Sequence, residues 1–375
     1  MNARVLVVAR KELLQLRRDR LTLGMMTMIP LMQLILFGYA INTDVRHIKT
    51  VVFDQDHSAA SRDLARSLEA TTFYDLVGQV SSYQDIERAL RTGEARVALV
   101  VPPHFGADQR AGKPTHVQLV VDGSDPQTVA SASNTAASLV AARSSQLLVQ
   151  RLGGRPGASE DPPIEVEPTT WYNPDLRTAV YIVPGLVGVI LTMTMVLLTA
   201  MAIARERERG TLEQLIVSPV KNLELMVGKI LPYIVIGYVQ ITLILLAGHV
   251  IFDVPFVGSI PLLYGLSFLF IACNLALGLV FSTLARTQQQ AMQMSFFFLL
   301  PSILLSGFMF PFEGMPEPAQ WISQLLPLTH FLRIVRGVVL RNAGFADLIG
   351  EVMWLAAILG AFIAIASLRF RKKLA

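Results

Sequence analysis

Charge is scarce in this chain. Of its 375 residues, 16% are Asp, Glu, Lys or Arg and 53% are hydrophobic, whereas a soluble globular chain carries about 25% charged residues. Cysteine is nearly missing as well. Cys273 stands alone, which excludes a disulfide framework within the chain and leaves the redox compartment open. The histidines His47, His57, His104 and His116 fall at no HxxxH-type spacing, so they supply no local pair of metal ligands. A phosphate-binding loop is absent too. The nearest stretch, from Gly106 through Gly112 and Lys113 to Pro114, sets its glycines one residue too far apart. It also has proline where a Ser or Thr hydroxyl would reach magnesium.

What the chain has instead is apolar length. Runs near residues 21–41, 178–204, 230–252, 254–285, 287–312 and 352–368 approach or exceed the roughly 20 residues needed to cross a hydrocarbon core. The expected fold class is therefore a polytopic α-helical membrane protein with about six transmembrane helices. The fourth run is too long for one straight span and predicts tilt or an interfacial end. The first is longer than the apolar core of a cleavable signal, and no small-x-small site follows Ile41, so it reads as a retained span. None of the six contains Asp, Glu, Lys or Arg. Ion-driven carriers and pumps usually need ionisable groups inside the membrane, so energy has to enter from a partner unless broken helices provide backbone sites. Gln33, Gln240, His249, Asn274 and Gln293 read as helix–helix contacts before substrate ligands. Met294, Phe296, Phe297 and Phe298 form a stripe open to substrate contact or to plain packing.

The basic residues set an orientation. Arg10, Lys11, Arg17, Arg18 and Arg20 precede the first run, Arg205, Arg207, Arg209, Lys221 and Lys229 lie between the second and third, and Arg369, Arg371, Lys372 and Lys373 follow the last. With six spans all of these fall on one side, which makes both termini cytoplasmic. The net charge of +4 then describes topology and not nucleic-acid binding. Residues 1–20 place Val5, Leu6, Ala9, Leu13 and Leu16 at helical spacing, the pattern of an amphipathic interface helix, or of an orientation signal alone.

Between the first two spans, residues 42–177 are polar enough and long enough for a small domain on the external side. Strand-like runs at 50–53, 97–101 and 117–121 alternate with helix-like runs at 59–70, 84–92 and 129–148, which predicts an inserted α/β domain. Residues 153–163 read as a flexible linker. Near the other end, residues 313–351 hold Trp321, several prolines and an amphipathic run at 328–340, the pattern of an external re-entrant or interfacial segment. Ser306 followed by His330 raises intramembrane proteolysis. Yet Ser306 follows Leu304 and Leu305 and not a glycine-bearing turn, so the chain reads as a non-enzyme without its own catalytic residues, cofactor or metal.

The segment 205–229 is the most distinctive. Arg205, Glu206, Arg207, Glu208 and Arg209 alternate in sign, Gly210 and Thr211 offer a break and an N-cap, Leu212, Leu215 and Ile216 share a face, and Pro219 ends it. This predicts a short amphipathic helix on the membrane surface, with an ordinary solvated loop as the alternative. Together with Glu213 and Gln214, the run Glu206 to Leu215 followed by Pro219 resembles the charged motif of ABC-type exporter permeases of the type-2 family. Pro327-Leu328-Thr329-His330 followed by Arg336-Gly337, and Val121-Asp122-Gly123-Ser124-Asp125-Pro126, look like two further family features. The resemblance covers essentially the whole chain.

That resemblance implies a six-span subunit pairing with a second permease, identical or not, and with cytosolic ATP-binding subunits that hold the ATP and magnesium. Residues 1–20 would be the connecting helix and residues 205–219 the coupling helix docking on the ATPase. Residues 311–351, with Pro311, Pro316, Pro327, His330, Arg336 and Gly337, would form the external re-entrant element. Membrane lipid is a further expected partner, and whether an envelope adaptor joins it is left open by the sequence. The substrate class is hydrophobic or amphipathic: drug, lipid or polysaccharide-like. The alternative function is a membrane-anchored sensor with an external ligand-binding domain, which would call for a cytoplasmic signalling module.

Overall fold

The computed structural model describes residues 45–152, 164–208 and 222–369. The expected interface helix at 1–20, the first span at 21–41, the linker at 153–163, the centre of the charged segment at 209–221 and the basic tail at 370–375 lie outside the described residues.

The inserted domain is built on a sheet of order β2-β1-β3-β4-β5. Its strands are β1 Ile48–Asp54, β2 Tyr74–Gln79, β3 Val97–Val101, β4 Thr115–Asp122 and β5 Ile164–Trp171. β1 runs parallel to β2 and β3, β4 is antiparallel to β3, and β5 is parallel to β4. β3 is buried at every position, as expected of a strand covered on both faces. Helices α1 Ala59–Glu69 and α4 Pro126–Leu152 cover one face. There Leu64 and Leu68 of α1, and Val129, Ala132, Ala136 and Val140 of α4, join Val97, Leu99, Val101 and Leu119. Helix α2 Tyr83–Thr92 covers part of the other, packing Ile86, Ala89 and Leu90 on Val51, Ala98, Val100 and Val120.

Local chemistry sets the ends of these helices. The side chains of Ser58 and Ser82 accept from the N–H groups of Ser61 and Asp85, satisfying free helix-start donors. Gly93 closes α2 at φ 78°, a left-handed cap that L side chains resist. The stretch from Gly106 to Gly112, the false phosphate loop of the sequence, is a short helix, α3 Phe105–Ala111, with Gly112 as its cap.

Five long helices follow: α5 Thr178–Glu208, α6 Asn222–Phe252, α7 Ile260–Leu284, α8 Gln288–Leu305 and, after the shorter α9 Glu317–Gln324 and α10 Pro327–Arg341, α11 Ile349–Arg369. Among the described residues, four helices are long and apolar enough to cross a membrane: Thr178–Glu208, Pro232–Phe252, Ile260–Leu284 and Ala346–Leu368. α8 is not one of them, because Gln288, Gln289, Gln290 and Gln293 dilute its apolar content. α5 is central and packs on α6, α7, α8 and α10. α6 and α11 turn apolar faces outward, with Val235, Val239 and Leu243, and Met353, Ile363 and Leu368, all exposed.

Several expected boundaries shift. α5 continues through Glu208 and α6 begins at Asn222, so both ends of the charged segment ride on long helices. The fourth helix starts at Ile260, capped by Ser259, and the residues before it run beside α10, where Val257 N–H donates to Val339 O at 3.0 Å. At Gly258 an added Cβ would lie 2.0 Å from Val338 O, so this close approach requires glycine. α10 itself is buried along almost its whole length. Its Phe331 ring stacks on Phe270 of α7 at 4.0 Å, and Ile334, Val335 and Val338 complete that face.

Candidate functional site

Two charged assemblies mark opposite regions of the helical part. The first is the end of α5. Its last turns carry Arg205, Glu206, Arg207 and Glu208, and side chains from these turns grip the connection between α7 and α8. Arg207 Nη1 donates to Ala285 O at 2.7 Å, and Arg205 Nε to Gln288 Oε1 at 3.1 Å. Glu208 accepts from the Gln288 backbone N–H at 3.0 Å and from its amide Nε2 at 2.6 Å. A carboxylate at the first N–H of α8 opposes the positive end of that helix dipole. Thr287 Oγ1 accepts from Gln290 N–H at 3.1 Å, while Gln290 Oε1 accepts from Arg286 N–H at 2.9 Å. Three helix ends are thereby tied into one body. The remaining expected coupling residues, Arg209, Gly210, Thr211, Leu212, Glu213, Leu215 and Pro219, lie outside the described residues.

The second assembly joins the α/β domain to α10 and the segment before it. Asp122, at the end of β4, is fully buried and receives Arg96 Nη1 at 2.7 Å, with Arg341 Nη1 at 3.7 Å. Its other oxygen accepts from Ser124 N–H at 3.0 Å. Arg96 Nε also reaches Glu313 at 3.4 Å, in the 3-10 turn Phe312–Gly314, and Arg341 donates to Leu90 O at 3.2 Å. Burial alone would raise the Asp122 pKa. The Arg341 and Arg96 guanidiniums and the Ser124 contacts outweigh it and hold the group below the usual carboxylate range. Glu313 is likewise held low against burial, chiefly by Arg96. Asp125 goes the other way: burial raises it, reinforced by Glu313 and opposed by Arg336 and Arg96. A cavity of about 40 Å³ lies at this junction, lined by Arg96, Asp125, Glu313, Arg333, Arg336 and Arg341. That is room for about three waters.

The residues expected in the external segment take distinct places. Pro311 and Pro316 precede the 3-10 turn and α9, and Pro327 opens α10, where its missing N–H costs no helix bond. His330 is fully buried between Glu351 Oε2 on Nδ1 at 2.5 Å and Gln324 O on Nε2 at 2.8 Å. The two ring nitrogens thus face a carboxylate on one side and a backbone carbonyl on the other. Arg336 donates to Gly307 O at 3.0 Å and lies 4.0 Å over the Tyr181 ring of α5. Gly337 sits under the returning chain, where an added Cβ would meet Leu348 at 3.1 Å. Ser306 Oγ donates to Ile303 O and is not bonded to His330, so the two form no nucleophile–base pair. Trp321 is 70% exposed on α9.

Sequence reasoning missed Arg96, Glu313, Arg333, Arg341 and Glu351. The available signal was the spacing of His330, Arg333 and Arg336, three residues apart in a largely apolar helix that ends in Arg341, which puts these three on one face. Glu351 lies in the first turn of α11 and binds Arg333 at 3.1 Å.

Residues 20–368 match the family described as ABC-2 family transporter protein. The chain is 30% identical over 351 residues to the probable multidrug ABC transporter permease YbhR of Escherichia coli (strain K12), covering 94% of this chain and 93% of that one. It is 30% identical over 373 residues to the probable multidrug ABC transporter permease YbhS of the same organism, covering 99% and 97%. A crystal structure of a domain of a putative ABC type-2 transporter from Thermotoga maritima MSB8 is 21% identical, with a TM-score of 0.27, covering 33% of this chain and 85% of that one. With its match running through nearly the full length, the chain belongs to the ABC-2 family of transporter proteins.

Proposed function

We infer that the chain is the permease subunit of an ATP-binding-cassette exporter. The family match and the relatives named as ABC transporter permeases support this, and the sensor alternative is not favoured. ABC-2 permeases work with an ATP-binding partner, often as dimers. We propose that this chain does so with a separate ATPase, which holds the ATP and magnesium, and with a second permease in a bacterial inner membrane. In this reading there are six spans, both termini are cytoplasmic and the α/β domain is external. Membrane lipid surrounds the spans, and an envelope adaptor is a further candidate partner. The cargo is hydrophobic or amphipathic, a drug, lipid or polysaccharide-like molecule.

The observation that carries the mechanism is the gripped end of α5. Arg207 and Glu208 tie the charged segment to the α7–α8 turn, so a force applied at residues 209–221 passes to three helices together. ATPase closure pushes that segment, and the helices rock between two states biased by nucleotide. Between α5 and α8 the packing leaves a crevice of only about 10 Å³, lined by Met193, Val196, Phe296 and Phe298, so in this state α5 and α8 close on each other and cargo would need them to part. The test is co-purification with the ATPase and export in reconstituted vesicles, comparing wild type with the double variant Glu208→Lys and Glu213→Lys. Loss of both ATPase binding and export is expected. Survival of both sinks the coupling assignment.

A further inference from the structure

The α/β domain holds a second feature, remote from the coupling end. β1 and β3 are neighbours whose following connections run in opposite directions across the sheet, to β2 on one side and β4 on the other. Open α/β sheets leave a crevice outside the carboxyl ends of such strands, and ligands bind there. Here a cleft of about 480 Å³ opens at that place, within the range of small-molecule sites. Its floor is Val100 and Phe105, and its rim includes Gln55 just after β1 and Pro102 and Pro103 just after β3. Prolines hold the rim shape at little entropic cost.

The lining selects a charge. Glu167 and Asp108 contribute carboxylates, and no Lys or Arg lines the cleft among the described residues. Lys113 pairs with Asp108 from outside the lining, at 3.3 Å. His116 also lines the cleft, 3.4 Å from Glu167 and 3.4 Å from Glu165, a further carboxylate just outside the lining. Tyr83 supplies an aromatic wall, 46% exposed and held edge-on against Phe53 at 5.5 Å. Its hydroxyl donates to Gln118 Oε1 at 3.0 Å, and Gln118 Nε2 donates to Thr169 Oγ1 at 3.0 Å, so the wall is fixed before any guest arrives. A preset ring face beside an excess of carboxylates suits an organic cation.

We propose that this cleft binds a cationic ligand with an aromatic or apolar body, a quaternary or protonated amine. The ammonium sits between Glu167 and the Tyr83 ring, and the apolar body lies on Phe105 and the prolines. The site stands apart from the coupling reading, because binding is measured on the permease without any ATPase.

The probe is benzyltrimethylammonium, titrated onto the full-length permease in detergent and followed by saturation-transfer NMR. Saturable binding is expected. Glu167→Gln and Tyr83→Ala should each weaken it about fivefold, with larger loss in the double variant, while the variants keep the wild-type melting temperature. Glu317→Gln, at the start of the distant helix α9, is the control and should bind as wild type. Absence of saturable binding to the wild type, or equal affinity in wild type, Glu167→Gln and Tyr83→Ala, overturns the site.

Discussion

At the scale of single residues, Asp122 carries the largest electrostatic burden. It is the one carboxylate within 4 Å of both Arg96 and Arg341 among the described residues. Removing it leaves two guanidiniums facing each other in a buried junction, a loss of about 3–5 kcal/mol in comparable buried pairs. Asp122→Ala should therefore lower the melting temperature of the purified permease and open the domain junction to protease. Adding Arg341→Met should recover part of that loss, since the second variant removes one of the stranded charges. A double variant no better than the single would show that the pair is not coupled.

The same junction carries two opposed pH dependences. Asp122 has a folded pKa below its unfolded value of about 3.9. Its stabilisation is complete above that value and is lost as pH falls through the folded one. Asp125 has a folded pKa raised by burial. Its contribution is present below the unfolded value and lost as pH rises through the folded one. Asp125→Asn should consequently raise the melting temperature more at pH 7 than at pH 4. An equal shift at both pH values would assign the effect to hydrogen bonding alone, through the Gln127 N–H and Thr128 hydroxyl that Asp125 accepts at 3.0 and 3.1 Å.

At the scale of elements, the end of α5 and the start of α8 behave as one piece. Glu208 accepts two hydrogen bonds from Gln288, and Cys273, the only native cysteine, is buried. Cysteines placed at 208 and 288 remove this native grip and should lower export, and joining them with a short bifunctional reagent should bring export back to within about twofold of wild type, because no relative motion is needed there. Loss of export on cross-linking, recovered on cleavage of the linker, would mean that the two ends separate during transport.

Elements also show which structure could be read in advance. β1, β3, β4, α1, α2 and α4 follow from short apolar and β-branched runs and from helix-like spacing. β2 and β5 do not. β2 is a short edge strand carrying Asp75 and Gly78, and β5 carries Glu165, Glu167 and Pro168, residues that edge strands tolerate and strand patterns exclude. Their pairing is non-local, so only the assembled sheet reveals it. The apolar helices were legible because burial in lipid or protein leaves the same mark on composition. For that reason composition held no warning that α10 is buried in protein, where its arginines meet carboxylates contributed by the sheet and by α11. The grip of Arg207 and Glu208 was equally invisible, since Gln288 lies 80 residues from Glu208 in the chain.

At the scale of the whole molecule, the α/β domain is tied to the helical part by charge and not by a shared apolar core. The domain's two apolar clusters contain no residue of α5–α11. The tie runs through Arg96 to Glu313 at 3.4 Å, Arg91 to Asp347 at 3.3 Å and Arg341 to Asp122 and Leu90, around a cavity of about 40 Å³. Such a joint is strong in one geometry and weakens steeply when its partners shift, because each separated charge is left desolvated. It therefore sets the orientation of the domain against α10, and α10 packs on α5 and α7, so a displacement of α5 has a packed route to the domain. Exchanging the Arg96–Glu313 pair tests this route. Arg96→Glu and Glu313→Arg alone place like charges together and should lower transport-coupled ATP hydrolysis about tenfold while ATPase binding persists. The double exchange restores one attraction but sets a carboxylate at position 96 beside Asp122, whose oxygen lies 2.7 Å from the present Arg96 nitrogen. Recovery should accordingly be partial, and become nearly complete when Asp122→Asn is added. Full activity in both single variants would show that the domain's orientation is irrelevant to transport.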